Sequence, residues 1–80
     1  MDDIKTKVTE ILNKYIFDKK VWDNAPENPK IFSDLMINSA RIVDVILDIE
    51  EEYKIDIDDN TLEKIFTIND IVDIIKEKTL

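Results

Sequence analysis

Apolar residues fall at Ile4, Val8, Ile11, Leu12, Tyr15 and Ile16, spacings that predict a helix from Asp3 to about Phe17 with one buried stripe. Asp2 or Asp3 suits its electropositive start. The period lapses from Lys19 to Lys30, a stretch holding the chain's two prolines, Pro26 and Pro29, with Asn24 and Asn28 beside them, which predicts a loop. Val21 and Trp22 interrupt its polarity and are expected to anchor it on the core. Ile31 to Ile37, IFSDLMI, predicts a single helical turn leading into the main helix. That helix runs from Asn38 or Ser39, either of which suits the N-cap, to Tyr53 or Lys54. Ala40, Val43, Ile46, Leu47 and Ile49 are expected along its packed side, with Asp44, Asp48, Glu51 and Glu52 largely elsewhere.

Ile55 and Ile57 alternate with Asp56 and Asp58, but no second strand-like run exists to pair with them, so an extended linker is expected. Asp58 or Asp59 caps a short helix to about Ile65, with Leu62 and Ile65 facing inward. Thr67 then caps the last helix with Asp70 in the capping-box position; Ile71, Val72, Ile74 and Ile75 form its buried side, and Lys76 and Lys78 suit its negative end. The expected fold is all-α: a bundle of three principal helices and one short one, with a long loop between the first and second, forming a single domain over residues 1–80.

A chain of this length buries roughly 60–65% of the surface its unfolded form exposes, which leaves little room for an internal catalytic cleft. It contains neither cysteine nor histidine, which removes disulfides, thiolate metal sites and the commonest general base. The net charge is −8, and all of the excess lies in residues 31–80, with 13 acids against 5 bases. Nucleic acid is therefore disfavoured as a partner, and basic patches on other proteins are favoured. No stretch reaches the roughly 18 apolar residues of a membrane span, and Asp2 and Asp3 are unlike the start of a secretion signal. A monomeric cytoplasmic protein without membrane insertion is expected.

An EF-hand loop starting at Asp56 requires glycine where Thr61 stands and glutamate where Thr67 stands, so no calcium site is expected. Glu50, Glu51 and Glu52 are consecutive on a helix, point in different directions and read as a solvated helix end. Ser39 has two readings on local chemistry. It is a simple N-cap, or it carries a phosphodiester favourably placed at the positive end of a helix; no base is available in sequence to make it a nucleophile by itself.

The chain from Asp34 to Ile68 resembles the acyl carrier proteins. That family's modification motif reads Asp-Leu-Gly-x-Asp-Ser-Leu, followed by an amphipathic helix ending in acids and an aromatic; here the chain reads DLMINSA and then RIVDVILDIEEEY. Glu50 to Tyr53 align with the helix end and Ser39 with the modified serine, without a gap, and IDIDDNTLEKIFTINDIVDII is similar to the family's third and fourth helices. The first helix is similar too; the Pro26 to Pro29 loop is unmatched. The resemblance implies a carrier rather than an enzyme. A phosphopantetheinyl transferase would attach 4′-phosphopantetheine from coenzyme A to Ser39, and the thiol of the arm would hold acyl groups as thioesters for enzymes of fatty-acid, lipid or polyketide-type synthesis. It also implies that acyl-transferring or synthase partners with basic docking patches read Asp44, Leu47 and Asp48, with Val43, Asn38 and Arg41 on or beside the same surface.

Four residues depart from the family pattern. Met36 replaces a glycine, so the turn before Ser39 is expected to avoid a conformation that only glycine adopts easily. Asn38 replaces an aspartate, Ala40 a leucine, and Arg41 reverses an acidic charge. These departures point to a specialised carrier with dedicated partners. Two other functions share the fold: a helical interaction protein without the cofactor, and an aminoacyl or peptidyl carrier.

Overall fold

The structure, a computed structural model, describes residues 3–79. Its helices are α1 (Asp3–Asn13), α2 (Ile42–Tyr53), α3 (Asp59–Leu62) and α4 (Ile68–Lys78), with 3₁₀ segments at Lys19–Asn24 and Ser39–Arg41. The fold is all-α, and the single β-bridge among the described residues, Lys30 with Thr67, extends into no strand.

In α1 the predicted stripe is buried through Val8, Ile11 and Leu12, and Ile16 joins it beyond the helix end. The helix stops at Asn13, short of the expected Phe17. The next three residues continue in i→i−3 bonds, Lys14 N–H to Ile11, Tyr15 N–H to Leu12 and Ile16 N–H to Asn13. The Lys19 ammonium then donates to the carbonyls of Asn13 and Ile16, occupying acceptors that a longer helix would have used internally. Asp2, one of the two expected caps, lies outside the described residues.

The expected loop from Lys19 to Lys30 begins instead as a 3₁₀ helix, because the Asp18 carboxylate accepts from the Lys20 N–H at its start. Val21 and Trp22 do anchor it. Both are half-buried against the core, and the Trp22 indole N–H donates to the Asn13 side chain at 2.9 Å. Downstream, Ile31 N–H bonds the Phe66 carbonyl and Ile68 N–H bonds the Pro29 carbonyl, so this loop is stitched to the start of α4.

α1 packs on both α2 and α4, and one core joins Leu12, Ile31, Leu35, Ile49, Ile71 and Ile75. In α2 the buried side chains are Val45, Ile46 and Ile49, with Ile42 half-buried. This corrects the expected packed side: Ala40 is exposed, and Val43 and Leu47 are 53% and 55% exposed. Every apolar position from Ile42 to Ile49 fits some helical stripe, and the packing of α1 selects the one through Val45.

Lys54 ends α2 with φ 57°, and the N–H groups of Lys54 and Ile55 both close on the Glu50 carbonyl. The linker is extended as expected, and the Glu50 carboxylate holds it through the Ile57 N–H at 2.7 Å. Asp58 caps α3 through the Thr61 N–H, and hydrogen bonding from the Thr61 side chain, then from its backbone, holds the Asp58 carboxyl below its usual pKa. Leu62 is half-buried and Ile65 buried. The Thr67–Asp70 capping box forms in both directions, and Ile71, Val72 and Ile75 are buried behind it while Ile74 is half-buried.

Candidate functional site

The turn before Ser39 is built by two buried anchors. Leu35 and Ile37 are 0% and 2% exposed, and the backbone between them is closed by Leu35 N–H to the Lys30 carbonyl and Ile37 N–H to the Ile31 carbonyl. Fixing both neighbours inward leaves Met36 outside, at φ 56°. The expected avoidance of a glycine-type conformation is therefore overturned. Met36 takes up the left-handed region, which costs a residue with a Cβ roughly 1–2 kcal/mol. Met36→Gly removes that cost and loses little packing, since the side chain is 69% exposed, against about 0.4–1 kcal/mol of added unfolded-state freedom. We expect a net gain of about 0.5–1 kcal/mol and a rise in Tm of about 2–8 °C by thermal circular dichroism, and an unchanged or lower Tm would contradict the strain.

Asn38 follows with extended backbone, and its side-chain oxygen accepts from the Ala40 N–H at 2.9 Å. The cap duty left open between Asn38 and Ser39 thus belongs to Asn38. Ser39 opens the 3₁₀ segment that feeds α2, is exposed, and its hydroxyl has no hydrogen-bond partner among the described residues. An exposed hydroxyl with its oxygen unengaged, at the head of a helix, is chemically fit to take a phosphodiester. No imidazole or thiol exists in the chain, and no side chain among the described residues is hydrogen-bonded to the Ser39 hydroxyl to activate it.

Beyond Ser39, Arg41 pairs with Asp44 through Nη1 and Oδ2 at 3.2 Å, both side chains being exposed. Val43 and Leu47, four residues apart, form an apolar pair on the outer side of α2, and Met36, 69% exposed, precedes Ser39. Of the residues the resemblance assigns to partners, Asn38, Arg41, Val43 and Leu47 are exposed and Asp44 is partly so. Asp48 is engaged within the molecule: its Oδ2 accepts from the Tyr15 hydroxyl at 2.6 Å and pairs with the Lys14 ammonium at 3.0 Å. This clasp fastens the end of α1 to the outer side of α2. It joins residues 33 apart in sequence, so no local pattern announces it.

The hydrogen bond to the Asp48 carboxylate, with burial and the negative charge behind it, pushes the Tyr15 phenol up from 10.0 to about 12. The same bond, then Lys14, holds the Asp48 carboxyl below its usual value. The two signs differ. Stability from Asp48 is present above the unfolded carboxyl pKa and is lost as pH falls through the folded one. Stability from Tyr15 is present below 10.0 and is lost as pH rises toward about 12. Tyr15→Phe should cost about 1 kcal/mol near neutral pH. It should also remove from a tyrosinate absorbance titration a phenol that ionises above 10.0; a difference between the native and variant titrations showing that the lost phenol ionises at or below 10.0 would refute the clasp.

Among the described residues no group of three or more acids, histidines or cysteines could hold a metal ion, and no helix is long and apolar enough to cross a membrane.

Comparison with known proteins agrees with this arrangement. A family profile described as "Phosphopantetheine attachment site" matches residues 21–75. The acyl carrier protein of Desulforapulum autotrophicum is 33% identical over 76 residues, covering 95% of this chain and 97% of its own. That of Thermotoga maritima is 34% identical over 77 residues, covering 96% and 93%. That of Picosynechococcus is 40% identical over 57 residues, covering 71% and 70%. The chain belongs to the acyl carrier protein family, whose cofactor is 4′-phosphopantetheine.

Proposed function

We propose that the chain forms one carrier domain that bears 4′-phosphopantetheine on Ser39 and catalyses nothing by itself. The observation that carries this reading is the division of labour in the 3₁₀ segment leading into α2: Asn38 makes its cap, and the Ser39 hydroxyl is exposed and has no hydrogen-bond partner among the described residues. Attachment forms a bond from the Ser39 oxygen to the phosphorus of the pantetheine phosphate of coenzyme A. The serine proton and the adenine nucleotide leave, and the transferase supplies the base. The bound arm supplies a terminal thiol that holds acyl groups as thioesters, a sulfur the chain itself does not have.

The residues of the chain do the rest. Leu35 and Ile37 fix the turn that presents Ser39. Val43 and Leu47 offer an apolar strip flanked by Asp44, and the acidic excess of residues 31–80 attracts enzymes with basic docking patches. Arg41 places a cation at the edge of that strip, which favours partners that tolerate or read a positive charge there.

Incubation with coenzyme A and a broad-specificity phosphopantetheinyl transferase tests the reading. Intact mass should rise by one phosphopantetheine. Failure with every transferase tried, including those of the source organism, would refute it.

A further inference from the structure

The clefts along α1 differ in charge. One, beside Ile11, is lined by Lys14 and Lys54 together with Asp48, Glu51 and Glu52. Another, at the opposite end of the α1–α2 contact, has a volume of about 460 Å³ and is lined by Lys14, Tyr15, Ile16, Phe17, Lys19 and Arg41. Three cations and no carboxylate line it, in a chain with 19 acids and 11 bases. Lys14 and Arg41 each share their charge with one aspartate outside the lining, Asp48 and Asp44. Lys19 bonds only to neutral carbonyls and has no carboxylate at ion-pair distance among the described residues. Phe17 is fully exposed at 101%, an aromatic ring with nothing packed on it.

The position of the cleft follows from the antiparallel packing of α1 and α2. Ile11 lies with Glu51 and Glu52, Lys14 and Tyr15 bond Asp48, and Phe17 and Lys19 lie with Arg41. The next residues in that progression on the α2 side are Ala40 and Ser39. Arg41, which lines the cleft, stands two residues after the exposed Ser39.

We infer that this cleft is the resting place of the arm attached to Ser39: Arg41 and Lys19 face its phosphodiester, and the Phe17 ring covers the apolar part of the pantetheine. The inference rests on the carrier reading and deepens it. A phosphodiester carries one negative charge at neutral pH, and a guanidinium is suited to bind it through two parallel N–H donors. A flexible arm tethered two residues from Arg41 reaches such a site at high effective concentration, so weak contacts suffice to populate it. The gem-dimethyl group of the arm and an exposed phenyl ring would each remove apolar surface from water by meeting.

The test is nuclear magnetic resonance of the native protein, first without the arm and then after loading with isotope-labelled pantetheine, with intact mass confirming one adduct. Through-space contacts between the arm's methyl groups and the Phe17 ring are expected, together with shifts of the Phe17, Lys19 and Arg41 amides on loading. Phe17→Ala, which removes an exposed ring and leaves the core intact, should abolish the methyl contacts and diminish the remote shifts while the adduct mass is unchanged. Shifts confined to the immediate neighbours of Ser39, with the arm relaxing as a free chain, would overturn the inference and leave the carrier reading standing. Absence of any adduct would overturn both, and the mass spectrum distinguishes the two cases.

Discussion

Ser39→Ala is expected to abolish loading completely while leaving the fold unchanged. The two halves of that expectation come from different atoms. The hydroxyl lost in the variant has no hydrogen-bond partner among the described residues and is exposed, so its removal opens no cavity and orphans no buried group. Alanine is also the better helix former, and a surface change of this kind stays within about 0.5 kcal/mol. The cap that starts the 3₁₀ segment leading into α2 belongs to Asn38, whose side chain still reaches the Ala40 N–H in the variant. Attachment, by contrast, needs an oxygen nucleophile at this position, and alanine offers none. Ser33 is the only other serine in the chain, so Ser33→Ala is the natural control and should load normally. Asn38→Ala completes the set. It should cost about 1 kcal/mol through the lost cap yet still accept the arm. Intact mass after incubation with coenzyme A and transferase reads all three variants, and an adduct on Ser39→Ala would place the attachment elsewhere and dissolve the site.

The contrast between Asn38 and Ser39 shows where sequence patterns were informative. Caps are local: Asn38, Asp58 and the Thr67–Asp70 box each bond a backbone group two or three residues away, so residue type and spacing suffice to find them. The α1 stripe was legible for the same kind of reason, since its polar positions separate cleanly from Val8, Ile11 and Leu12. The packed side of α2 was not. Ile42, Val43, Val45, Ile46, Leu47 and Ile49 surround much of the helix, and only the position of α1 decides that Val45 goes inside while Val43 and Leu47 stay out. The 3₁₀ helix at Lys19–Asn24 has no sustained apolar period, and its start depends on the Asp18 cap. The early end of α1 depends on Lys19 reaching back to two carbonyls, which no propensity records.

At the site itself, the serine and its helix were visible in the motif, but the conformation of Met36 was not. A non-glycine residue in place of the family's glycine argues locally for a different turn. The tertiary arrangement overrides that argument: Leu35 and Ile37 are both buried, the Ile37 N–H closes a turn on the Ile31 carbonyl, and Met36 stands at positive φ within that turn. The Tyr15–Asp48–Lys14 clasp is a tertiary feature of the same sort. It draws an acid that the motif places on the partner surface into a contact with α1.

Leu35→Ala tests that coupling between core and site, and its effect on stability should be the largest of any change proposed. Leu35 is fully buried in the cluster shared with Leu12, Ile31, Ile49 and Ile71. Truncation removes its transfer free energy and leaves a cavity, together about 2–5 kcal/mol. At about 0.05–0.15 kcal/mol per residue, a chain of this size holds only about 4–12 kcal/mol in total, so a substantial fraction of the folded-state margin is lost. With about 4–8 °C per kcal/mol for a domain this small, Tm should fall by more than about 8 °C. The loss is not confined to the core. Without the leucine side chain to hold the segment inward, the strained φ at Met36 loses one of the two anchors that enforce it, and the turn before Ser39 can relax. Met36→Gly should therefore stabilise the native protein by more than it stabilises Leu35→Ala, because in the second background part of the strain is already released. A double-mutant cycle by denaturant unfolding, read beside the transferase rate on each variant, measures this coupling. Equal gains from Met36→Gly in both backgrounds would show that Leu35 stabilises the core without setting the geometry of the turn that presents Ser39.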